Sequence, residues 1–404
     1  MENYNSLHYT FLKLVRLGIG TSKDMEIPKE VDWQQLKNIA DSQGLSAVVL
    51  DGLNTDGTNL TDTMPLQLKL EWIGEVLQGE SVYAGQWEAA RKMAKVLDNN
   101  YIRTYVLKGF VVSECYPKPN HRVSVDMDCF LVEEASSKVS GSKGFDAWEL
   151  GNQLMEHAGY AVDRSFYKNS TIMLKGLTVE NHQFMTAVRG SRRLKNFERI
   201  LQSWILGDTD LQRFEGTCMC RPPVMVSALF LIEHAYAHFL HEGLTWRMVL
   251  DWVMFSKKHQ KEIDWYALDA LIDEFGFRKF FDVFNEIGQD AFGGESSRIL
   301  ETSGTSEQVR AGELKNSTSK NLENSKLSAG SQRSTFNSIL KEKMLNDIWA
   351  DLDLHEFHGV KGKMALAGNE IRAAWKYHYF SPDTMIGDLF NRVRGFLFER
   401  YPKL

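Results

Sequence analysis

Two aspartates, Asp126 and Asp128, interrupt an apolar run in the segment R-V-S-V-D-M-D-C-F-L-V, residues 122 to 132. An apolar, β-branched run predicts a strand, on which side chains two residues apart point to the same face. The two carboxylates are therefore expected side by side. Like charges that close repel unless a cation lies between them, and divalent cations prefer carboxylate oxygens. The spacing predicts a metal-binding pair; the alternative is a polar face at a sheet edge.

A third carboxylate, Glu180, belongs to a predicted neighbouring strand. Residues 171 to 184 contain two β-rich runs separated by Lys175 and Gly176, a pair typical of a tight hairpin turn. In the second run Glu180 shares a face with His182. Glu180 is expected to complete the metal site, with simple exposure on the strand as its alternative. His182 is expected to support the site or the structure.

Phosphate-binding residues are expected upstream of the acids. A strand-like run over residues 104 to 107 ends at Lys108-Gly109, and a short helix is expected to follow. A turn that leads into a helix offers backbone N–H groups to phosphate, and a basic side chain compensates phosphate charge. Lys108, Gly109 and Arg122 are therefore the expected phosphate-binding residues. The alternatives are a solvated strand end for Lys108 and structural neutralisation of Asp126 for Arg122.

Clustered carboxylates beside a cation suit phosphoryl or nucleotidyl transfer. This chemistry needs charge neutralisation and in-line alignment, with little covalent work by the protein. Two divalent ions held by carboxylates can activate an attacking hydroxyl and stabilise departing pyrophosphate. We therefore expect Mg²⁺ or Mn²⁺ as the cofactor and an NTP as the substrate. The acceptor, whether a small molecule, a tRNA or a protein, stays open.

The elements that position these residues form a small core between helices. The expected fold class is α+β, a small mixed β-sheet nucleotidyltransferase core flanked by N-terminal and C-terminal helical regions. The predicted regions are a helical region over 1–95, the α/β core over 96–200, a helical domain over 201–300, a flexible low-complexity insertion over 303–335 and a C-terminal helical region over 336–404.

Finer predictions follow from periodicity and composition. The apolar spacing predicts a helix over residues 66 to 97 with a break near Glu80. The insertion is rich in Ser, Asn, Lys and Gly, so it cannot bury a core. Trp349, Trp375 and Phe396 are expected to anchor the C-terminal helices.

The composition and the N-terminal residues predict the cellular compartment of the protein. The chain has 404 residues, a net charge of -6 and four cysteines, which form no C-x-x-C pair, so a reducing compartment is expected. The N-terminus lacks a signal-peptide pattern, and no apolar run of membrane-spanning length is expected. These features predict a cytoplasmic protein with no membrane partner. The mild net charge argues against general nucleic-acid binding, although the basic run over 189–195 leaves a nucleic-acid acceptor open.

A family resemblance agrees with this chemistry. Residues 106 to 132 read V-L-K-G-F-V-V-S-E-C-Y-P-K-P-N-H-R-V-S-V-D-M-D-C-F-L-V, and residues 178 to 183 read T-V-E-N-H-Q. This order of Lys-Gly, Tyr-Pro, Arg, Asp-x-Asp and a later acid resembles an uncharacterised bacterial nucleotidyltransferase family of the polymerase-beta-like superfamily. A helical segment over 234–252, with paired histidines followed by Arg and Asp, is similar to that family as well.

The resemblance implies roles position by position. Asp126, Asp128 and Glu180 would be the metal ligands and catalytic acids. Lys108, Gly109 and Arg122 would bind the phosphates of the nucleotide. The wider superfamily usually has Gly-Ser at the turn, whereas Phe110 follows Gly109 here. The turn is therefore expected to hold a triphosphate differently.

Four residues of the helical segment could take part in the site or only in packing. His234 and His238 share a helix face and could bind zinc, although no H-E-x-x-H motif or separate third ligand exists; packing or nucleotide contact is the other interpretation. Arg247 and Asp251 have the spacing of an ordinary helix ion pair.

Two functional alternatives also remain open at this level. One is a catalytically inactive nucleotide-binding sensor or interaction module with the same fold, which the Gly-Phe turn favours. The other is a partner in a toxin–antitoxin pair. The retention of three acids favours the enzyme, since an inactive protein has no need to cluster negative charge.

Overall fold

A mixed seven-stranded sheet lies at the centre of the part of the chain that the computed structural model describes. The described residues are 6–23, 26–28, 30–54, 64–134, 147–186, 188, 192–241, 243–293, 337–350, 375–376 and 379–380. The strands are β1 (Ile102–Val106), β2 (Asp126–Glu133), β3 (Ala161–Asp163), β4 (Asn169–Leu174), β5 (Leu177–His182), β6 (Gln212–Arg213) and β7 (Met219–Arg221). Their spatial order is β3-β4-β5-β2-β1-β7-β6.

Helices surround this sheet and make up most of the described residues. They are α1 (Ser6–Gly18), α2 (Trp33–Ser42), α3 (Ser46–Leu53), α4 (Leu66–Asp98), α5 (Phe110–Ser113), α6 (Ala147–His157), α7 (Arg192–Leu206), α8 (Val224–His241), α9 (Trp246–Lys258), α10 (Trp265–Glu274) and α11 (Arg278–Phe292). A 3₁₀ turn occupies Pro119–His121. The α+β class predicted from the sequence is therefore confirmed.

The central strand β2 is the element on which the acids are placed. It pairs antiparallel with β1 and parallel with β5. Asp126 lies opposite Thr178, and Asp128 lies opposite Glu180. Because residues in register on paired strands point to the same face of a sheet, the three acids lie on one face. On the other face Met127, Cys129 and Leu131 are buried.

The predicted start of this strand was wrong by several residues. β2 begins at Asp126, because its pairing with β5 begins only where Asp126 meets Thr178. Val123 and Val125 therefore precede the strand, and their exposed fractions are 42% and 75%. They do not share the buried face that alternation from Arg122 predicted.

The long helix α4 is continuous, so the predicted break near Glu80 was wrong. Glu80 faces the loop before β2, where its Oε1 lies 2.7 Å from His121 Nε2. Asp51 of α3 lies 2.6 Å from the other ring nitrogen of His121. His121 therefore links α3 and α4 to the loop that carries Arg122, at the position where the break in α4 was predicted.

A short hairpin interrupts the region from 201 to 300, for which only helices were predicted. Its turn contains Gly216 with a φ of 66°, a conformation that favours glycine. The second strand of the hairpin, β7, pairs parallel with β1. Two- and three-residue strands carry too little alternation to be seen in a sequence, which explains the omission.

The described C-terminal residues pack against the rest of the protein. Residues 337–349 are helical. Trp349 stacks on His8 with ring centroids 3.9 Å apart, and Trp375 lies edge-on to Phe239 at 5.8 Å. Both predicted tryptophan anchors thus make aromatic contacts. The predicted third anchor, Phe396, and the predicted insertion over 303–335 lie outside the described residues.

One described helix, α8, is long and apolar enough to cross a membrane, contrary to the sequence expectation. It spans 18 residues with a mean hydropathy of 1.2. However, 67% of it is buried inside the protein, and its His234 contacts Lys108 beside the acidic face of the sheet. Burial of that extent is typical of a core helix, which is also apolar on most sides.

Helices α1 and α3 cross at two glycines. A methyl group on Gly52 would overlap the Leu14 carbonyl oxygen, and one on Gly18 would overlap the Val48 carbonyl oxygen. Each helix backbone therefore occupies the space that a side chain of the other would need. Tight backbone contact of this kind tolerates no added volume.

Gly52→Ala is expected to destabilise the protein, because the new methyl group would push α1 and α3 apart. The expected loss in the free energy of unfolding is about 1–3 kcal/mol. Gly74→Ala is the matched control, since Gly74 lies in α4 with open space around it. That control should gain about 0.5–1 kcal/mol from helix propensity. Urea unfolding of both variants measures the difference, and equal values would contradict the close crossing.

Candidate active site

Asp128 is the centre of the acidic face. Its side chain is 2% exposed, and its Oδ1 accepts a hydrogen bond from His182 Nε2 at 2.9 Å. Its Oδ2 lies 3.1 Å from the Lys108 ammonium. Burial opposes ionisation of Asp128, but the charges of Lys108 and His182 outweigh it and lower the pKa well below its usual range. Asp128 is therefore an ionised carboxylate in a buried place.

One oxygen of this carboxylate is incompletely satisfied. Asp128 Oδ2 is buried and accepts no hydrogen bond of good geometry from any described residue, although the Lys108 ammonium is in ion-pair range. A buried carboxylate oxygen normally has a hydrogen-bond partner or a metal ion. Asp128 Oδ2 is therefore the strongest candidate for a metal ligand among the acids of this face.

Glu180 and His182 complete a cluster with Asp128. One ligand atom from each of the three residues lies within 4.8 Å of those of the other two. His182 Nε2 is 3.5 Å from Glu180 Oε2, and the Glu180 side chain is 35% exposed. The three residues come from two paired strands, Asp128 from β2 and the others from β5. The cluster is thus buried at one end and open to solvent at the other.

His182 holds the cluster together more directly than the sequence suggested. Its Nδ1 lies 3.1 Å from the Phe184 carbonyl, and its Nε2 faces the two carboxylates. Burial opposes protonation of His182, but the hydrogen bonds to Asp128 and Glu180 prevail and raise its pKa. With both ring nitrogens protonated, His182 donates to the Phe184 carbonyl and to Asp128. The alternation that placed His182 beside Glu180 was the signal for this role.

Asp126 stands at the edge of the cluster. It is half-buried, and no described residue forms a hydrogen bond or ion pair with its carboxylate. Its pKa is raised, first by burial and then by the charges of Asp128 and Glu180, against the opposing effect of Lys108. Asp126 shares the face of Asp128 but lies outside the three-residue cluster. A bound cation would remove the repulsion that raises this pKa.

Lys108 lies between the acids and helix α8. Its ammonium is 3.1 Å from His234 Nε2 as well as from Asp128 Oδ2. Burial, and then the Lys108 charge, hold the pKa of His234 well below its usual range. His234 is therefore neutral and accepts a hydrogen bond from Lys108. Lys108 is not the solvated strand end that was its alternative.

The paired histidines of α8 are part of this arrangement. The rings of His234 and His238 lie 4.4 Å apart. His234 Nε2 accepts a hydrogen bond from Lys108. Among the described residues, only Asp128, Glu180 and His182 form a group of potential metal ligands. The contact with Lys108 agrees with packing against the core rather than with zinc binding.

Gly109 shapes the backbone beside the acids. Its φ is 69°, a region that favours glycine, and it precedes the four-residue helix α5. A side chain here would come within 3.2 Å of Ser124 Oγ and 3.6 Å of the Asp126 carbonyl oxygen. Ser124 Oγ in turn donates to that carbonyl at 2.8 Å. The turn thus lies directly against the start of β2.

Arg122 has a buried partner that the sequence did not indicate. Its Nη2 donates to Asp251 Oδ2 at 2.7 Å and its Nε donates to Oδ1 at 3.2 Å. Tyr116 donates its hydroxyl to the same carboxylate at 2.7 Å. The charge of Arg122 does act to lower the pKa of Asp126, as the predicted neutralisation requires, but without an ion pair between them. The predicted ion pair of Arg247 with Asp251 was wrong, because Asp251 pairs with Arg122. Asp251 lies far along the chain, so spacing could not reveal this pair.

The basic run after β5 is only partly described. Residues 189–191 lie outside the described residues, and α7 begins at Arg192. The functional part of this helix that the sequence missed is Glu198. Its carboxylate accepts from the backbone N–H groups of Met185 and Thr186 at 3.0 and 2.8 Å. Glu198 therefore fixes the loop that follows His182.

Comparison with known families decides how this geometry is classified. A family model described as an uncharacterised nucleotidyltransferase matches residues 29–287, more than half of the chain. The chain belongs to this nucleotidyltransferase family. The match contains the whole sheet and every residue of the cluster. No curated protein matches the chain, and no solved structure does.

The buried pair of Arg122 and Asp251 should be important for the stability of this protein. Asp251→Asn would leave the Arg122 charge buried without its partner, which is expected to cost about 3–5 kcal/mol. Asp269→Asn removes an exposed partner of Arg278 and should cost less than about 1 kcal/mol. Denaturant unfolding at pH 7 compares the two, and similar losses would rule out a special role for the buried pair.

A second buried acid, Glu233 of α8, should make stability depend on pH. Burial, with a smaller contribution from Glu198, raises the pKa of Glu233 to about 7. The unfolded chain therefore releases this proton at lower pH than the folded protein, and the free energy of unfolding falls as pH rises from about 4.5 to about 7.

Glu233→Gln should remove this loss. The gain of the variant over the parent protein should grow to about 3 kcal/mol between pH 5 and pH 8. Glu215→Gln, which alters an exposed acid, is the control and should follow the parent protein across this range. Unfolding curves at several pH values measure the effect. A gain that does not change with pH would contradict it.

Proposed function

We propose that this protein is a metal-dependent nucleotidyltransferase that moves an NMP from an NTP to an acceptor hydroxyl and releases pyrophosphate. Membership of the nucleotidyltransferase family supports the reaction class. The observation that carries the metal dependence is the cluster of Asp128, Glu180 and His182, set in register on two paired strands. It combines convergent ligand atoms with a buried carboxylate oxygen that lacks a hydrogen bond.

The residues present fit a divalent cation. Carboxylate oxygens suit Mg²⁺ and Mn²⁺. Asp126, Asp128 and Glu180 would hold the metal, and His182, already bonded to Asp128, would orient that carboxylate. When bound, the metal would neutralise phosphate charge and lower the pKa of the acceptor hydroxyl.

The other side chains have roles that follow from their positions. Lys108 already balances Asp128 with its ammonium 3.1 Å from Asp128 Oδ2, so it can offset triphosphate charge as well. Gly109 leaves the space beside Asp126 free of a side chain. Glu180 is the partly exposed member of the cluster, which suits it to orient an acceptor hydroxyl arriving from solvent.

A nucleotide-binding protein without turnover is the second candidate. Two observations favour it: the Lys108 ammonium is ion-paired with Asp128 inside the site, and Phe110 is buried directly after the glycine turn. In that function the same residues would bind the nucleotide and metal, but no pyrophosphate would be released.

Asp128→Asn tests the proposal because it removes the charge at the centre of the cluster with little change of shape. Turnover should fall by more than the roughly 10–100-fold that loss of a supporting residue causes, and Mn²⁺ binding should weaken. Asp163→Asn, an exposed acid on β3 of the same sheet, is the control and should behave like the parent protein. Pyrophosphate release from labelled NTP and Mn²⁺ titration provide the two measurements.

The outcomes separate the two candidates. Unchanged metal-dependent turnover in Asp128→Asn would overturn the catalytic assignment. Metal-dependent NTP binding by the parent protein without pyrophosphate release, over a panel of hydroxyl acceptors, would favour the non-catalytic candidate. If Asp128→Asn loses both pyrophosphate release and Mn²⁺ binding while its unfolding curve is unchanged, the result supports the enzyme.

A further inference from the structure

We propose that Arg247 binds the outer phosphates of the triphosphate, and hence the departing pyrophosphate, in a site that Arg122 supports without contacting the ligand. This inference rests on the proposed function and deepens it. It moves the phosphate contact from Arg122, where the sequence placed it, to a residue of α9 that had no assigned role.

Arg122 already makes three hydrogen bonds within the protein. Two of its nitrogens donate to Asp251, and Nη1 donates to Ser124 Oγ at 3.2 Å. Its side chain is 6% exposed. A phosphate that bound Arg122 would have to displace Asp251, which would leave that carboxylate buried beside Tyr116. The cost of an unpaired buried charge makes this exchange unfavourable.

Arg247 has the opposite properties. Its one hydrogen bond among the described residues is from Nη1 to the Val123 carbonyl at 3.0 Å. Its Nε is buried and has no hydrogen-bond partner in the described structure. The residue as a whole is only half-buried, and its hydrogen bond to the Val123 carbonyl lies at an exposed position. A guanidinium has five N–H donors, and three of those of Arg247, all on its Nη atoms, form no hydrogen bond with the described residues.

The surroundings of Arg247 favour an anion. Burial, followed by the neighbouring Arg122 charge, lowers the pKa of Arg247. Arg247 also lies in the first turn of α9, where the helix dipole disfavours a cation and favours an anion. Asp251, the acid that could compensate it, is bonded to Arg122 and Tyr116 instead. Asp251 and Asp126 favour the charge of Arg247 only from a distance, and no described carboxylate forms an ion pair with it, so a phosphate group could neutralise it directly.

The position of Arg247 relative to the acids suits a triphosphate. Arg247 bonds the carbonyl of Val123, and the chain passes from there through Ser124 to Asp126 in three residues. Ser124 Oγ lies against both the glycine turn and the Asp126 carbonyl. A ligand whose inner phosphate lies at the acidic cluster would therefore extend its outer phosphates along this segment toward Arg247.

The alternative is that Arg247 only fixes the loop before β2. Its aliphatic part does pack on the protein, since a side chain at Gly44 would lie 3.3 Å from Arg247 Cδ. A single bond to one carbonyl, however, does not require a charged group with a buried free donor. A structural role also predicts no loss of affinity for a small polyanion in a variant that remains folded.

Arg247→Gln, which keeps a hydrogen-bond donor and removes the charge, tests the proposal. Titration calorimetry with inorganic tripolyphosphate, without metal, should show an affinity loss of about 10–100-fold. In the presence of Mn²⁺, NTP binding should weaken similarly, whereas NMP binding should change less than about twofold. Arg199→Gln, which removes an exposed arginine of α7, is the charge-matched control and should bind as the parent protein does.

Arg247→Lys provides a second variant if Arg247→Gln does not fold. It retains the charge but loses the planar fork of donors, so tripolyphosphate affinity should still fall at least about threefold. Parent-like tripolyphosphate affinity in a folded Arg247 variant would overturn the inference and leave the proposed reaction intact. Arg247-dependent tripolyphosphate binding by a protein that shows no NTP turnover would leave the phosphate site standing and count against the reaction.

Discussion

The buried negative charge of Asp128 is the constraint on which the rest of the site depends. A carboxylate 2% exposed must be compensated by the protein, because burying an isolated charge is prohibitively costly. Lys108 and His182 provide that compensation from the turn after β1 and from β5. Each is then held in place by a further contact, with His234 and the Phe184 carbonyl. The charge of Asp128 thereby requires the turn after β1, strand β5 and helix α8 to pack together around it.

A second buried charge pair attaches the helical region to this centre. The bidentate contact of Arg122 with Asp251 joins the loop before β2 to α9, and Tyr116 binds the same carboxylate. Its effect is to hold Arg122 through the protein's own acceptors, whereas Arg247 forms a single hydrogen bond with the described residues. The two networks have different electrostatic effects. The network around Asp128 concentrates carboxylates on one face of the sheet, whereas the network around Asp251 leaves the Arg247 charge without an ion-pair partner among the described residues. Substrates with a polyphosphate chain and a metal match both.

Local patterns were enough to identify the acids and their strands. Alternation on two β-rich runs placed Asp126 and Asp128 on one face and Glu180 beside His182, because strand geometry has a fixed period of two. The Lys175-Gly176 turn and the α+β class followed from equally local signals. Local reasoning failed where pairing partners were distant. It extended β2 back to Arg122, divided α4 near Glu80 and overlooked the short β6–β7 hairpin.

By itself, the sequence determined the groups on which the proposed chemistry depends: three carboxylates, a lysine before a glycine turn and the strands that carry them. Only the tertiary structure decided which of these groups meet. It brought His182 into the acidic cluster, joined Lys108 to His234, and gave Arg122 rather than Arg247 to Asp251. The physical reason is that charge compensation acts through space over a few ångströms. The partners it selects lie tens to more than a hundred residues apart, where no sequence period connects them.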